Sequence, residues 1–213
     1  RDLLGNEVTT AHAATLAGVN DFISGFLAYE RKAGNVMAAA DADPESVIAN
    51  VYAGFSWMFL EAAGARRNAA RYLRRAQAVL SGANARERLL VAQLAAWIAG
   101  DIPTVQALGD DIVARWPTDL ASVKLHQYFS FNRGDAVNML RIAEAALPAN
   151  AGNPHVHGML AFGYEQMHRL PEAEAAARRA LTIKAKEPWA QHALAHVMLS
   201  TGRTREGVAF LEE

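Results

Sequence analysis

The sequence predicts an all-α chain folded as an α-solenoid of antiparallel helical hairpins, about six of them, on three observations. The first is a period. Gly100, Gly134 and Gly202 are separated by one and then two intervals of 34 residues, with His168 at the skipped position. The second is that other residues keep the same interval: Pro154 with Pro188, Leu160 with Leu194, Ala161 with Ala195. The third is composition. Hydrophobic residues make up 52 % of the chain and charged ones 20 %, enough for a continuous core, and no strand-like segment of any length interrupts the helical patterns.

Each element follows from local signals. Residues 9–31 carry apolar positions Leu16, Val19, Phe22, Ile23, Phe26 and Leu27 at helical spacing, and a short partner follows near 35–42. Pro44 suits a first helical turn and opens the next helix, through Ala62. Helices over 67–80, 86–99, 103–116, 120–132 and 135–147 come next, with tight turns at Gly100-Asp101 and Gly134-Asp135. The stretch 148–153 reads as a loop-like insertion, after which the period resumes at 154–168 with 171–184, then 188–201 with 204 to the end. This is the tetratricopeptide register. Ala161 and Ala195 stand where two helices of a hairpin cross, Tyr164 and Met198 fill the gap between hairpins, and Ala173, Ala177 and Ala180 form a stripe for the next hairpin. The whole of 1–213 is expected to be one helical domain. Arg1 is no initiator Met and Glu213 ends inside a helical pattern, so both ends are expected to be cut ends of a longer chain.

Composition also excludes. A formal net charge of −1 gives no global pull toward nucleic acid or an anionic membrane. The absence of cysteine removes disulfides, thiolate zinc sites and cysteine nucleophiles. No apolar run is long enough to span a bilayer, and no Gly-Lys phosphate loop, GxSxG elbow or GxGxxG turn is present. A cytoplasmic protein without cofactor is expected, more a binder than an enzyme.

Several stretches match one family. They are Gly5-Asn6-Glu7-Val8-Thr9-Thr10, Arg86-Glu87-Arg88, Trp116-Pro117-Thr118-Asp119-Leu120 with Lys124, and Gly158-Met159-Leu160-Ala161-Phe162-Gly163-Tyr164-Glu165. The most specific is Trp189-Ala190-Gln191-His192-Ala193-Leu194-Ala195-His196-Val197. On these the chain resembles the N-terminal half of the tetratricopeptide repeat protein 38 family, nearly without gaps from Asn84 onward. The resemblance implies a helical-repeat fold and no established activity. Gln127-Tyr128 departs from the family's expected His-Asp pair, which alters any site that pair serves.

Candidate site residues concentrate in the last hairpins. His192 and His196 are one helical turn apart, so both imidazoles share a face, the spacing zinc sites use. Ala193 stands where an HExxH site has its glutamate and no third ligand is in sight, so these two are weak metal candidates. With Trp189 one turn earlier and His155 on the first helix of the preceding hairpin, they are expected to line a groove, with Glu165 as an acid–base partner for His196. The plainer alternatives are packing for Trp189 and the His192–His196 pair, an exposed helix position for Glu165, and partial solvation for His155 and His157. Arg66, Arg67, Arg71, Arg74 and Arg75 form a basic stretch with no acid between Glu61 and Glu87. Arg67, Arg71 and Arg74 are its candidates for an anionic partner, against an ordinary solvated face paired to neighbouring helices. Tyr72 alone provides too little stacking for nucleic acid. The expected function is a scaffold whose concave groove takes a protein, peptide or small ligand. The alternative is an enzyme or metal-dependent ligand binder using the groove histidines. Self-association into a homo-oligomer is a further expectation, since a solenoid end exposes an apolar helix face.

Overall fold

The structure, a computed structural model, describes residues 1–212. Among them are twelve α-helices and no strand: α1 (Ala13–Ala28), α2 (Asn35–Ala42), α3 (Val47–Phe59), α4 (Ala65–Ala78), α5 (Ala85–Ala99), α6 (Ile102–Arg115), α7 (Leu120–Asn132), α8 (Ala136–Asn150), α9 (Pro154–Gln166), α10 (Leu170–Ile183), α11 (Pro188–Ser200) and α12 (Thr204–Glu212). The chain divides into two compact units, Arg1–Ala121 and Ser122–Glu213.

In the first unit α1 pairs with α2, α3 with α4 and α5 with α6, while α3 also packs on both α1 and α5. Aromatic side chains fill those contacts. Phe22 stacks on Tyr52 with centroids 4.3 Å apart, and Phe55 and Phe59 both meet Trp97, at 5.9 and 5.1 Å. Close approach needs a missing side chain at Gly54, where a Cβ would overlap Leu94.

In the second unit α9 packs against α8, α10 and α11, and α11 against α10 and α12. Small residues make the core: Ala161, Ala177, Ala180, Ala190 and Ala193 are fully buried around Leu194 and Met198. Gln127 of α7 reaches across to the carbonyls of Met139 on α8 and Met159 on α9, at 2.7 and 3.3 Å.

The period is visible as one recurring corner. Gly100, Gly134, His168 and Gly202 all have positive φ, at 81°, 70°, 56° and 75°. At each, the next residue's N–H returns to the carbonyl five residues back: Asp101 to Ala96, Asp135 to Ser130, Arg169 to Tyr164, Arg203 to Met198, at 2.8–2.9 Å. That is the Schellman closure of a helix, for which glycine is suited because it adopts the left-handed conformation without a Cβ penalty. His168 makes the same corner with a side chain.

Several boundaries differ from the sequence expectation. α1 starts at Ala13, not Thr9, because residues 1–10 engage α5 instead. Pro44 lies outside α3, which begins after the Ser46 N-cap, whose hydroxyl accepts from the Ala49 N–H. The expected loop at 148–153 is helical to Asn150, with Pro148 inside α8. Pro148 has no N–H to donate, yet the helix carries on for two residues, and the Asn150 side chain closes back on the Ala146 carbonyl at 2.8 Å. Ala195 is only partly buried, unlike its counterpart Ala161.

Candidate functional site

The interval of 34 residues places side chains of α7, α9 and α11 in rows: Ala121, His155 and Trp189; Lys124, Gly158 and His192; Tyr128, Phe162 and His196; Phe131, Glu165 and Leu199. Within the second unit these rows bring most of the candidates together. Phe162 is the hub, edge-on to Trp189 at 4.5 Å and to His192 at 5.4 Å. His192 and His196 lie with ring centroids 4.2 Å apart. Burial, followed by the charge of His196, lowers the His192 pKa below its ordinary value, against the pull of Glu165. The plainer expectation of an exposed Glu165 is not met. Its side chain is only 12 % exposed and Oε1 lies 3.1 Å from His196 Nδ1. A carboxylate against Nδ1 fixes the ring's orientation.

His155 stands apart from that pair. Its side chain is partly solvated, 11 % exposed, and Nδ1 lies 3.0 Å from Glu187 Oε1. Glu187 is the N-cap of α11, with Oε2 accepting from the Ala190 N–H at 2.6 Å. Its carboxylate occupies the space where a Cβ on residue 158 would be, so a side chain there would have to displace it. Close by, Lys124 is 2 % exposed with Nζ 5.2 Å from the centre of the Trp189 ring, within cation–π range. Burial pulls its pKa down to about 7, against the opposing field of Glu187. The second unit thus holds a buried amine poised near neutrality, beside an aromatic and imidazole surface. Among the described residues no group of three or more His, Asp or Glu side chains is placed to hold a metal ion.

The basic stretch on α4 is partly paired. Arg71 and Arg75 both donate to Asp41 Oδ1 of α2, at 2.7 and 2.6 Å, and both stack near Tyr72. Arg67 and Arg74 are exposed and make no ion pair among the described residues. Arg66 lies against Gly100.

Sequence reasoning did not find Glu187 or the role of Lys124, nor a buried charge cluster in the first unit. Arg86 of α5 is 1 % exposed, and its guanidinium donates to Asp119 Oδ2 at 2.6 Å and Asp2 Oδ2 at 3.2 Å. Burial opposes its charge, but Asp119, Tyr52 and Asp2 together hold it protonated. Burial also pushes the Asp2 carboxyl above the usual carboxylate range despite Arg86. The available signal was that Asn6, Arg86 and Thr118-Asp119 all lie in stretches that carry the family resemblance.

No family model matches the chain. Among solved structures it is similar to MamA 41-end from Desulfovibrio magneticus RS-1, at 16 % identity over 70 % of this chain and 83 % of that one, with a TM-score of 0.53. It is also similar to MamA of AMB-1, at 18 % identity over 78 % of this chain and 89 % of that one, with a TM-score of 0.49. MamA is a tetratricopeptide-like helical repeat protein, and the first likeness, with the paired helices, establishes that fold here. No helix among the described residues is long and apolar enough to cross a membrane.

Proposed function

We propose that this chain is a tetratricopeptide-type interaction scaffold, and that the row-bearing face of α7, α9 and α11 takes a segment of a partner protein. The observation that carries the reading is the composition of that face. Phe131 and Leu199 are 43 % and 66 % exposed, His192 is exposed, and the His196 side chain is 45 % exposed. Rigid aromatic and imidazole side chains on alternate helices give large contact area at little entropy cost, the usual composition of an interface core. The likeness to a helical repeat protein supports the same reading. Kinship with the tetratricopeptide repeat protein 38 family belongs to the proposal too, supported by the convergence of its quoted stretches around Arg86. The metal-dependent alternative gains no support, since among the described residues the imidazole pair lacks a third ligand.

The test is selection from a displayed peptide library on the full chain, with a Phe131→Ala/Leu199→Ala variant in parallel. Enrichment of a common sequence that binds the parent and is lost from a folded variant is expected. Peptides that bind both proteins equally would move the interface elsewhere and defeat the assignment.

A further inference from the structure

The first unit carries a strongly charged surface on α4. Five arginines, Arg66, Arg67, Arg71, Arg74 and Arg75, stand on that helix, and it holds no acidic residue. Asp41 of α2 is the one carboxylate that pairs with them among the described residues, and a single oxygen of it serves both Arg71 and Arg75. Arg66, Arg67 and Arg74 are exposed and take no hydrogen bond or ion pair among the described residues. In a chain whose net charge is −1, one short helix thus carries four positive charges without a counter-charge.

The placement works against the helix itself. Arg66 and Arg67 lie in the first turn of α4, at the positive end of its dipole, where acidic residues are favoured. Gly64 precedes that turn with no side chain to cap it. Arg67 repels Arg71, and Arg71 repels Arg75, because like charges one turn apart face each other. A side-chain pattern that opposes its own helix and gains nothing from the fold marks a functional surface.

We propose that Arg67, Arg71 and Arg74 form a docking site for an acidic helical segment of a partner protein, one with carboxylates at the same i, i+4, i+7 spacing. The three arginines follow one another at about 6 and 4.5 Å along the axis, a rise that a second helix repeats. Arg71 is already held, through Asp41 and beside the Tyr72 ring, yet its side chain is 53 % exposed. Its remaining N–H groups are therefore presented at little entropic cost. Guanidinium and carboxylate can pair through two parallel hydrogen bonds, which rewards matched spacing. Other anionic surfaces fit less well. No large apolar side chain of α4 is exposed to enter a bilayer, and Tyr72, 4 % exposed, offers no ring to a nucleic-acid base.

The probe is a fluorescent alanine-based helical peptide with glutamates at i, i+4 and i+7, titrated by anisotropy into the full chain at low salt. A scrambled peptide with the same glutamates spread around the helix, a duplex DNA oligomer and vesicles of anionic phospholipid run beside it. Saturable binding of the patterned peptide is expected, about tenfold tighter than that of the scrambled one. Arg67→Gln/Arg74→Gln removes two guanidiniums that hold nothing in the fold, and should weaken binding by about tenfold or more. Arg179→Gln/Arg205→Gln removes the same charge from exposed positions of the second unit and should leave binding unchanged. Equal loss in the two variants would reduce the effect to bulk charge and overturn the proposal. So would equal binding of the patterned and scrambled peptides, no saturable binding, or tighter binding to the DNA or the vesicles.

Discussion

Replacing Lys124 by methionine should make the protein more stable near neutral pH and should abolish a rise in stability with pH. Lys124 is 2 % exposed and its pKa falls from 10.5 to about 7, chiefly through burial. Between those values the unfolded chain binds a proton that the folded chain does not, so folding stability increases as pH rises through the window. At 1.36 kcal/mol per pKa unit, the full difference corresponds to about 5 kcal/mol, present as a cost below pH 7 and relieved by pH 10.5. Methionine has similar length and no charge, so the variant does not carry this cost, although Glu187 then loses a cationic neighbour. A net gain of about 2–4 kcal/mol at pH 6 is expected, shrinking toward zero or reversing by pH 9.5. The assay is urea unfolding of both proteins from pH 6 to 9.5, with hydrogen exchange of α7 and α11 amides locating the effect in the second unit. Tyr52 and Tyr164, whose pKa values burial raises, titrate alike in both proteins and cancel in the difference. Parallel stability curves, with a constant offset across the range, would refute the placement of an ionisable amine in this interior.

Other perturbations have equally definite expectations. Gly158→Ala puts a methyl group on the Glu187 carboxylate and should cost about 2–3 kcal/mol through overpacking and a weakened cap, read as a lowered melting temperature. Arg86→Met leaves Asp2 and Asp119 buried without their cation and should cost about 3–5 kcal/mol in chemical denaturation, with Asp2→Asn in the same chain recovering part of it. His168→Gly relieves a left-handed side chain at a corner where three counterparts are glycine, and should raise stability by about 0.5–1 kcal/mol by calorimetry.

The helical repeat was legible because its signals are local. A left-handed corner asks for glycine, a helix start tolerates proline, and a close crossing asks for alanine, so Gly134, Pro188 and Ala161 announce their roles without knowledge of their neighbours. Pro148 misled for the same reason. Its local preference is for a break, but two further residues of α8 persist beyond it. At the site, His192, His196 and Trp189 were visible through helical spacing, whereas Glu187 reads as a polar loop residue until α9 is seen to leave Gly158 empty for it. The Asp2, Arg86 and Asp119 cluster joins positions 84 and 33 residues apart, and no periodicity encodes that meeting. The short segment at 1–10 was read as the start of a helix because its partners lie on α5, far along the chain.

The gap at Gly158 also bears on what changes of length the chain tolerates. Glu187 reaches it from the end of the α10–α11 connection while capping α11 and meeting His155, so three separate partners set where that connection must end. One residue inserted between Glu187 and Pro188 would move every later side chain one position away from the cap. If α11 kept its N-terminus, its side chains would turn by about 100°, carrying His192 away from Phe162 and His196 away from Glu165. Substitutions at this junction are therefore expected to be tolerated far more readily than insertions. The carboxylate acts as a gauge that keeps the last interval at 34 residues.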